Sequence, residues 1–225
     1  VLKEFLEKNL KTIALGFMAV VVLGLGFSLV SGQSERSEKA AQEAFTPIQA
    51  KLVQLKEQNQ QTQKDVKEPR TEVNVADLKK DLEGFIAQHP ATVASQIAGL
   101  SLSEIYASEK NMVEALNTLK KVETKSSVLS NTLVLKKMGQ LLADSDQCKE
   151  AIDIWNKVLN NKKAEFTFSD VQIKQALCYQ KLNETQKAEE LLTKVKNNKT
   201  EGQEQSSLEA EKVLRLIQFN KAQGS

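Results

Sequence analysis

The stretch SEIYASEKNMVEAL, residues 103–116, sets Tyr106 nine positions before Ala115, with the polar run Ala-Ser-Glu-Lys-Asn between them. A short polar run between two apolar stretches reads as a turn. The segment therefore predicts two helices joined back to back, with the tyrosine closing the first and the alanine inside the second. The same offset returns twice downstream. Three segments superpose without internal gaps: LSLSEIYASEKNMVEALNTLKKV, LKKMGQLLADSDQCKEAIDIWNKV and KQALCYQKLNETQKAEELLTKV. Their alanines, Ala115, Ala151 and Ala188, are spaced by 36 and 37 residues. Nine residues before each stands Tyr106, Leu142 or Tyr179; four after each stands Leu119, Trp155 or Leu192; seven after each stands Val122, Val158 or Val195.

A fixed period of this length marks a stack of supersecondary units, none of which buries its apolar face alone. The positions resemble those of the tetratricopeptide repeat, a helix–turn–helix unit. The alanine occupies the point where two helices cross most closely, and a larger side chain there would force them apart. Gly139 matches the close-approach glycine of the first helix in the second unit; Ser103 and Ala176, also small, take that place in the others. The usual repeat has 34 residues. These are longer and lack a closing proline after the first and second units, so longer turns between units and less regular stacking are expected. Residues 78–90, LKKDLEGFIAQHP, read as a lone second helix with that proline present as Pro90. Near the end of the chain Ala210, Val213, Leu214 and Ile217 form one apolar stripe, with Glu209, Glu211, Lys212, Arg215 and Gln218 on other faces. That pattern predicts a solubilising cap, which such stacks require. The expected fold class is all-α, a tetratricopeptide-like helical repeat solenoid preceded by a single transmembrane helix.

The bulk properties agree with helix. The 225 residues are 40% hydrophobic and 27% charged, enough for one sizeable core. Aromatics make up only 5%, and there are 9 Gly and 3 Pro, fewer than an all-β sandwich wants. A net charge of +2 argues against a nucleic-acid partner. One histidine, His89, and two cysteines, Cys148 and Cys178, spell neither a zinc site nor a Cys–His nucleophile pair. No paired acids, phosphate-cradling glycine loop or nucleophile triad can be assembled, so neither an enzyme nor a cofactor is expected. His89 reads as a capping or surface residue before Pro90, and Trp155 as core packing.

The run TIALGFMAVVVLGLGFSLV, residues 12–30, carries no charge. At 1.5 Å per residue it spans roughly 28 Å, about the thickness of a bilayer core. The alternative is a cleaved signal peptide, with LVSG at 29–32 offering small residues to a peptidase. Against it stand the length of the run and the acidic Glu4 and Glu7 before it. Lys3, Lys8 and Lys11 precede the run, against Arg36 and Lys39 after it, which favours residues 1–11 as a short cytoplasmic tail. Gly24, Ser28 and Gly32 form a row of small residues, read either as helix pairing or as ordinary membrane glycine content. Residues 31–74 are expected to be a helix and a polar linker. Ala41, Phe45, Ile48, Leu52 and Leu55 give the helix an a/d-like stripe that packs on the following domain or on a partner. Pro47 predicts a kink or a break near Thr46. The polar residues 56–74 read as a spacer that gives the repeat domain, residues 75–225, reach from the membrane.

The order of these parts carries a wider resemblance. SEKAAQEAF at 37–45, FIAQHP at 85–90 and ATVASQIAGLSLSEIYASEKNMVEALNTLKKV at 91–122 follow a single span. Together they resemble the YfgM family, inner-membrane proteins with a periplasmic tetratricopeptide-like domain. The resemblance implies a bacterial inner-membrane protein that spans once, with its N-terminus cytoplasmic and its repeat domain periplasmic. It implies an ancillary subunit of the SecYEG translocon that contacts periplasmic chaperones and exported polypeptides. It carries no catalytic motif.

In tetratricopeptide stacks the first helix of each unit lines a concave wall. Mapping the groove positions gives Ile97, Leu100, Glu104 and Ala107, then Leu133, Lys136, Gln140 and Ala143, then Asp170, Ile173, Leu177 and Gln180. A clamp for peptide carboxylates would need several Lys, Arg and Asn on this wall, and only Lys136 qualifies. An extended apolar segment or a partner helix suits it better; the alternative is that these residues pack between helices. Cys148 opens the second helix of the second unit and Cys178 lies late in the first helix of the third. Adjacent helices run antiparallel, so these ends should be neighbours, and an oxidising space would permit a disulfide; the alternative is two small buried residues. The function this points to is a membrane-tethered interaction module at a protein-export site. A structural scaffold of another envelope machine, for secretion, pilus assembly or division, shares every sequence feature.

Overall fold

The computed structural model describes residues 35–58, 73–124, 129–198 and 202–223, and regular structure among them is entirely helical. The chain runs through α1 (35–58), α2 (Val75–Gln88), α3 (Val93–Ser108), α4 (Met112–Val122), α5 (Leu129–Asp144) and α6 (Cys148–Leu159). A 3-10 segment, Lys162–Thr167, leads into α7 (Phe168–Lys181), followed by α8 (Thr185–Lys196) and α9 (Glu204–Gln223). The apolar run 12–30 and most of the polar linker, 59–72, lie outside the described residues. No described helix is long and apolar enough to cross a membrane.

The three repeat units are the pairs α3/α4, α5/α6 and α7/α8. Their turns share one backbone solution. Lys110, Asp146 and Asn183, each five residues before its unit's alanine, adopt φ of 61°, 58° and 61°. The next amide, of Asn111, Gln147 or Glu184, donates to the carbonyl of Tyr106, Leu142 or Tyr179 at 2.8–2.9 Å. This is the Schellman arrangement that satisfies the carbonyls at a helix end. The residue nine before the alanine thus closes the helix with its carbonyl. Between units the connections are longer, and the one after α6 contains the 3-10 segment.

Ala115, Ala151 and Ala188 are fully buried, as are Leu119, Leu192, Val122, Val158, Val195 and Trp155 to within 2%. Gly139 sits under the Trp155 indole, where an added Cβ would lie 2.3 Å from Nε1. Gly99 is a second close approach: a Cβ there would stand 2.6 Å from a Val122 methyl.

Helix α2 is not alone. α1 lies antiparallel to it: Phe45 packs on Phe85 at 5.1 Å between centroids, and Lys51 pairs with Asp81 at 2.6 Å. Both Glu38 carboxylate oxygens accept the Val93 amide at 3.0 Å, capping the start of α3. The repeat architecture therefore begins at residue 35 rather than 75. The stripe of α1 thus packs on the following domain, one of its two expected places; residues 59–72, between α1 and α2, lie outside the described residues.

The break expected at Pro47 is absent, and α1 is continuous from 35 to 58. Pro47 and Glu43 are both exposed, so the carbonyl left without an amide partner faces water. Buried Ala41 and Phe45 just before it, and half-buried Ile48 and Leu52 just after it, keep both halves on one surface. At the other end α9 buries Ala210, Leu214 and Ile217 against Ala188, Leu192 and Val195. The cap is not wholly polar, because Leu208, Leu216 and Phe219 stand exposed.

Candidate functional site

The first helices of the three units, α3, α5 and α7, stand side by side in register. Lys137 of α5 reaches Glu104 of α3 at 3.3 Å, and Lys136 of α5 reaches Asp170 of α7 at 2.6 Å. On the wall they form, Ile97, Leu133 and Leu177 are exposed at 44%, 40% and 43%. Leu100, Ala107, Gln140, Ala143 and Gln180 are half-buried, and Glu104 is exposed.

Ile173 departs from the expected groove. It is 2% exposed and belongs to the core with Ala188, Leu192, Leu214 and Ile217. The terminal helix α9 packs on the last unit and encloses this position.

Charge on the wall is largely internally matched. Lys136, the single residue suited to a carboxylate clamp, is tied to Asp170, which Lys174 approaches from the next turn at 3.6 Å. Apolar surface is what the wall offers to a visitor. Between α5, α6 and α7 it deepens into a cleft of roughly 160 Å³ whose lining includes Gln140, Ala143, Trp155, Leu177 and Cys178. The Gln140 amide nitrogen donates to Asp144 at 2.8 Å, while its buried carbonyl oxygen accepts no hydrogen bond.

Cys148 and Cys178 are joined in a disulfide that links α6 to α7, with Cα atoms 5.1 Å apart. Lys181 pairs with Asp146 at 2.7 Å beside it, and that hydrogen bond and charge hold the Asp146 carboxyl below the usual range. Across the α2/α3 contact the Tyr106 hydroxyl donates to Glu83 at 2.5 Å. That bond, with desolvation and the carboxylate charge, pushes the phenol up to about 12. Among the described residues no cluster of three or more His, Cys, Asp or Glu is arranged to hold a metal ion. His89 ends α2 with its ring against Phe85 at 4.7 Å.

No family model matches the sequence, and no curated protein matches it. Solved structures do. One is a single-substitution variant of a kinesin light chain protein of nearly identical TPR-like repeats from Podosopora anserina. It aligns at 18% identity and TM-score 0.55, over 80% of this chain and 97% of that one. A second structure of the Podosopora anserina kinesin light chain repeats gives 17%, 0.52, 78% and 96%. MamA gives 17% and 0.46, over 65% of this chain and 90% of its own. The kinesin light chain likenesses establish a tetratricopeptide-like repeat fold.

Proposed function

We propose that the chain is a membrane-tethered protein–protein interaction module that assists protein export at the SecYEG translocon, linking it to periplasmic chaperones or clients. The observation that carries the interaction role is the wall itself. Exposed Leu177 stands at a cleft lined by Ala143 and Trp155, and the one clamp-like cation is already paired. Such a surface favours an extended apolar segment or the apolar face of a helix. The translocon and the chaperones come from the resemblance to the YfgM family, and the inner-membrane location from residues 12–30 read as a span. Tethering raises the local concentration of a weak groove near emerging chains, so modest affinity suffices.

The test is photo-crosslinking in cells from Leu100, Gln140 and Leu177, with Glu209 and Arg215 on α9 as controls. The groove positions should capture translocon components, chaperones or export clients, and the controls far less. Equal yield from both sets would overturn the groove reading. Recovery of only a secretion, pilus or division component would favour the envelope-scaffold role instead.

A further inference from the structure

Val93, Leu129 and Phe166 each stand twenty-two residues before the buried alanine of their unit. Val93 and Leu129 open α3 and α5, and Phe166 lies in the 3-10 segment before α7. All three are exposed, Phe166 at 61%. One turn along, Ile97 and Leu133 continue the pattern on two of the helices, also exposed. The five side chains make an apolar row across three successive units, along the edge of the stack where the first helices begin, which is the apolar end of the helices.

The same end collects positive charge. The second helix of each unit finishes there, with Lys120 and Lys121 in the last turn of α4 and Lys194 in that of α8. Exposed Lys162 and Lys163 sit just before Phe166. Of the acids at this end, Glu123 is paired with Lys157, Asp170 with Lys136 and Glu211 with Lys196, and Glu38 is bound to the Val93 amide, leaving Glu35, Glu165 and Glu204 exposed. The opposite end carries both signs: Glu109, Glu114, Asp146 and Glu150 share its turns and helix ends with Lys110, Lys149, Lys181 and Lys187.

The chain also arrives at the apolar, basic end. Glu38, in the first turn of α1, meets Val93 there. Only residues 31–34 separate the apolar run 12–30 from α1, and four residues reach at most about 14 Å. On the reading that residues 12–30 span the membrane, this end cannot stand far from the bilayer surface.

We infer that this end rests on the membrane: Val93, Ile97, Leu129, Leu133 and Phe166 enter the headgroup–acyl boundary of an anionic bilayer, and the lysines around them meet lipid phosphates. Apolar side chains ringed by Lys are the signature of an interfacial surface. The inference rests on the proposed membrane tether and adds a pose to it. Gln140 and Leu177 each lie eleven residues past Leu129 and Phe166, so the cleft would stand about 16 Å above the headgroups, open to the side.

The test uses the full chain reconstituted into phosphatidylethanolamine–phosphatidylglycerol vesicles. A single environment-sensitive noncanonical fluorophore is placed at Leu129, Leu133 or Phe166, at Val113 near the opposite end, or at Val21 within the apolar run. Brominated acyl chains should quench the first three at least threefold more than Val113, and aqueous iodide should show the reverse order. Adding Leu129→Glu and Phe166→Glu should abolish the quenching at Leu133. Quenching at Val21 without quenching at Leu129, Leu133 or Phe166 would overturn the docked pose alone. No quenching at Val21 would overturn the pose and the membrane tether together. Iodide protection without bromolipid quenching would assign the row to a second copy of the chain or another protein and overturn the lipid assignment.

Discussion

At Gly139 the missing side chain is a packing requirement. A methyl group there would meet the Trp155 indole at 2.3 Å, and Trp155 Nε1 also donates to the Lys136 carbonyl at 3.3 Å. Gly139→Ala should therefore destabilise the fold by about 1–3 kcal/mol, read as a lower urea midpoint followed through Trp155, the only tryptophan. Gly139 was legible because its counterparts Ser103 and Ala176 are small as well. Gly99 was not, because the equivalent positions in the other units hold Leu135 and Gln172, and a size pattern present once is no pattern. The left-handed turn residues were legible only as a polar stretch, since Lys110 is not a type that favours that conformation. Tyr106 carries a pH dependence of its own. Its phenol is held protonated in the folded state up to about 12, against an ordinary value of 10.0. A raised folded value means that its contribution to stability is complete below pH 10 and is lost as pH climbs toward 12. In a Tyr179→Phe background the phenolate absorbance should rise late, and Glu83→Gln should move that rise to lower pH. An unchanged midpoint would remove Glu83 as the main cause.

Among the elements, α1 is the one whose place the sequence did not disclose. Its stripe predicted packing on the following domain or on a partner, but the repeat ruler fails across residues 59–72, so nothing in the spacing matched α1 to α2. Three contacts do: Phe45 with Phe85, Lys51 with Asp81, and Glu38 with the Val93 amide. Phe45 is 5% exposed, so Phe45→Ala should cost about 3–5 kcal/mol at that end of the stack. Each unit touches mainly its neighbours, so the loss should stay local. Hydrogen exchange should quicken in α1 and α2 while α7 and α8 keep their protection; uniform quickening would mean that the stack unfolds as one cooperative block. At Pro47 the helix does not break, for a related reason. The affected carbonyl, on exposed Glu43, faces water, and buried Phe45 anchors the helix beside it, and neither is visible in the sequence.

Across the whole molecule, the stacking of units was written in the period, and most of the wall followed from it. Ile173 was the exception, because a repeat frame gives every unit a successor and the last unit has only α9. The disulfide ties the second unit to the third across a separation of 30 residues. Closing a loop of that size is worth about 3–4 kcal/mol in the chain-entropy model, so Cys148→Ser with Cys178→Ser should lower the chemical stability by that order. Under tension the bridge acts differently. A stack gripped at its two ends unravels by peeling units away, and every freed residue lengthens the chain. The bridged stretch cannot lengthen: load passes from Cys148 to Cys178 over 5.1 Å, and the loop between them carries none. Stretched in optical tweezers, the oxidised chain should end about 100 Å shorter than the reduced one, at roughly 3.3–3.6 Å for each sheltered residue. On the proposed reading, with one end held by a bilayer and load applied through the groove, the bond would act as a strain limiter, and the cleft beside Leu177 lies at the part of the stack it shields.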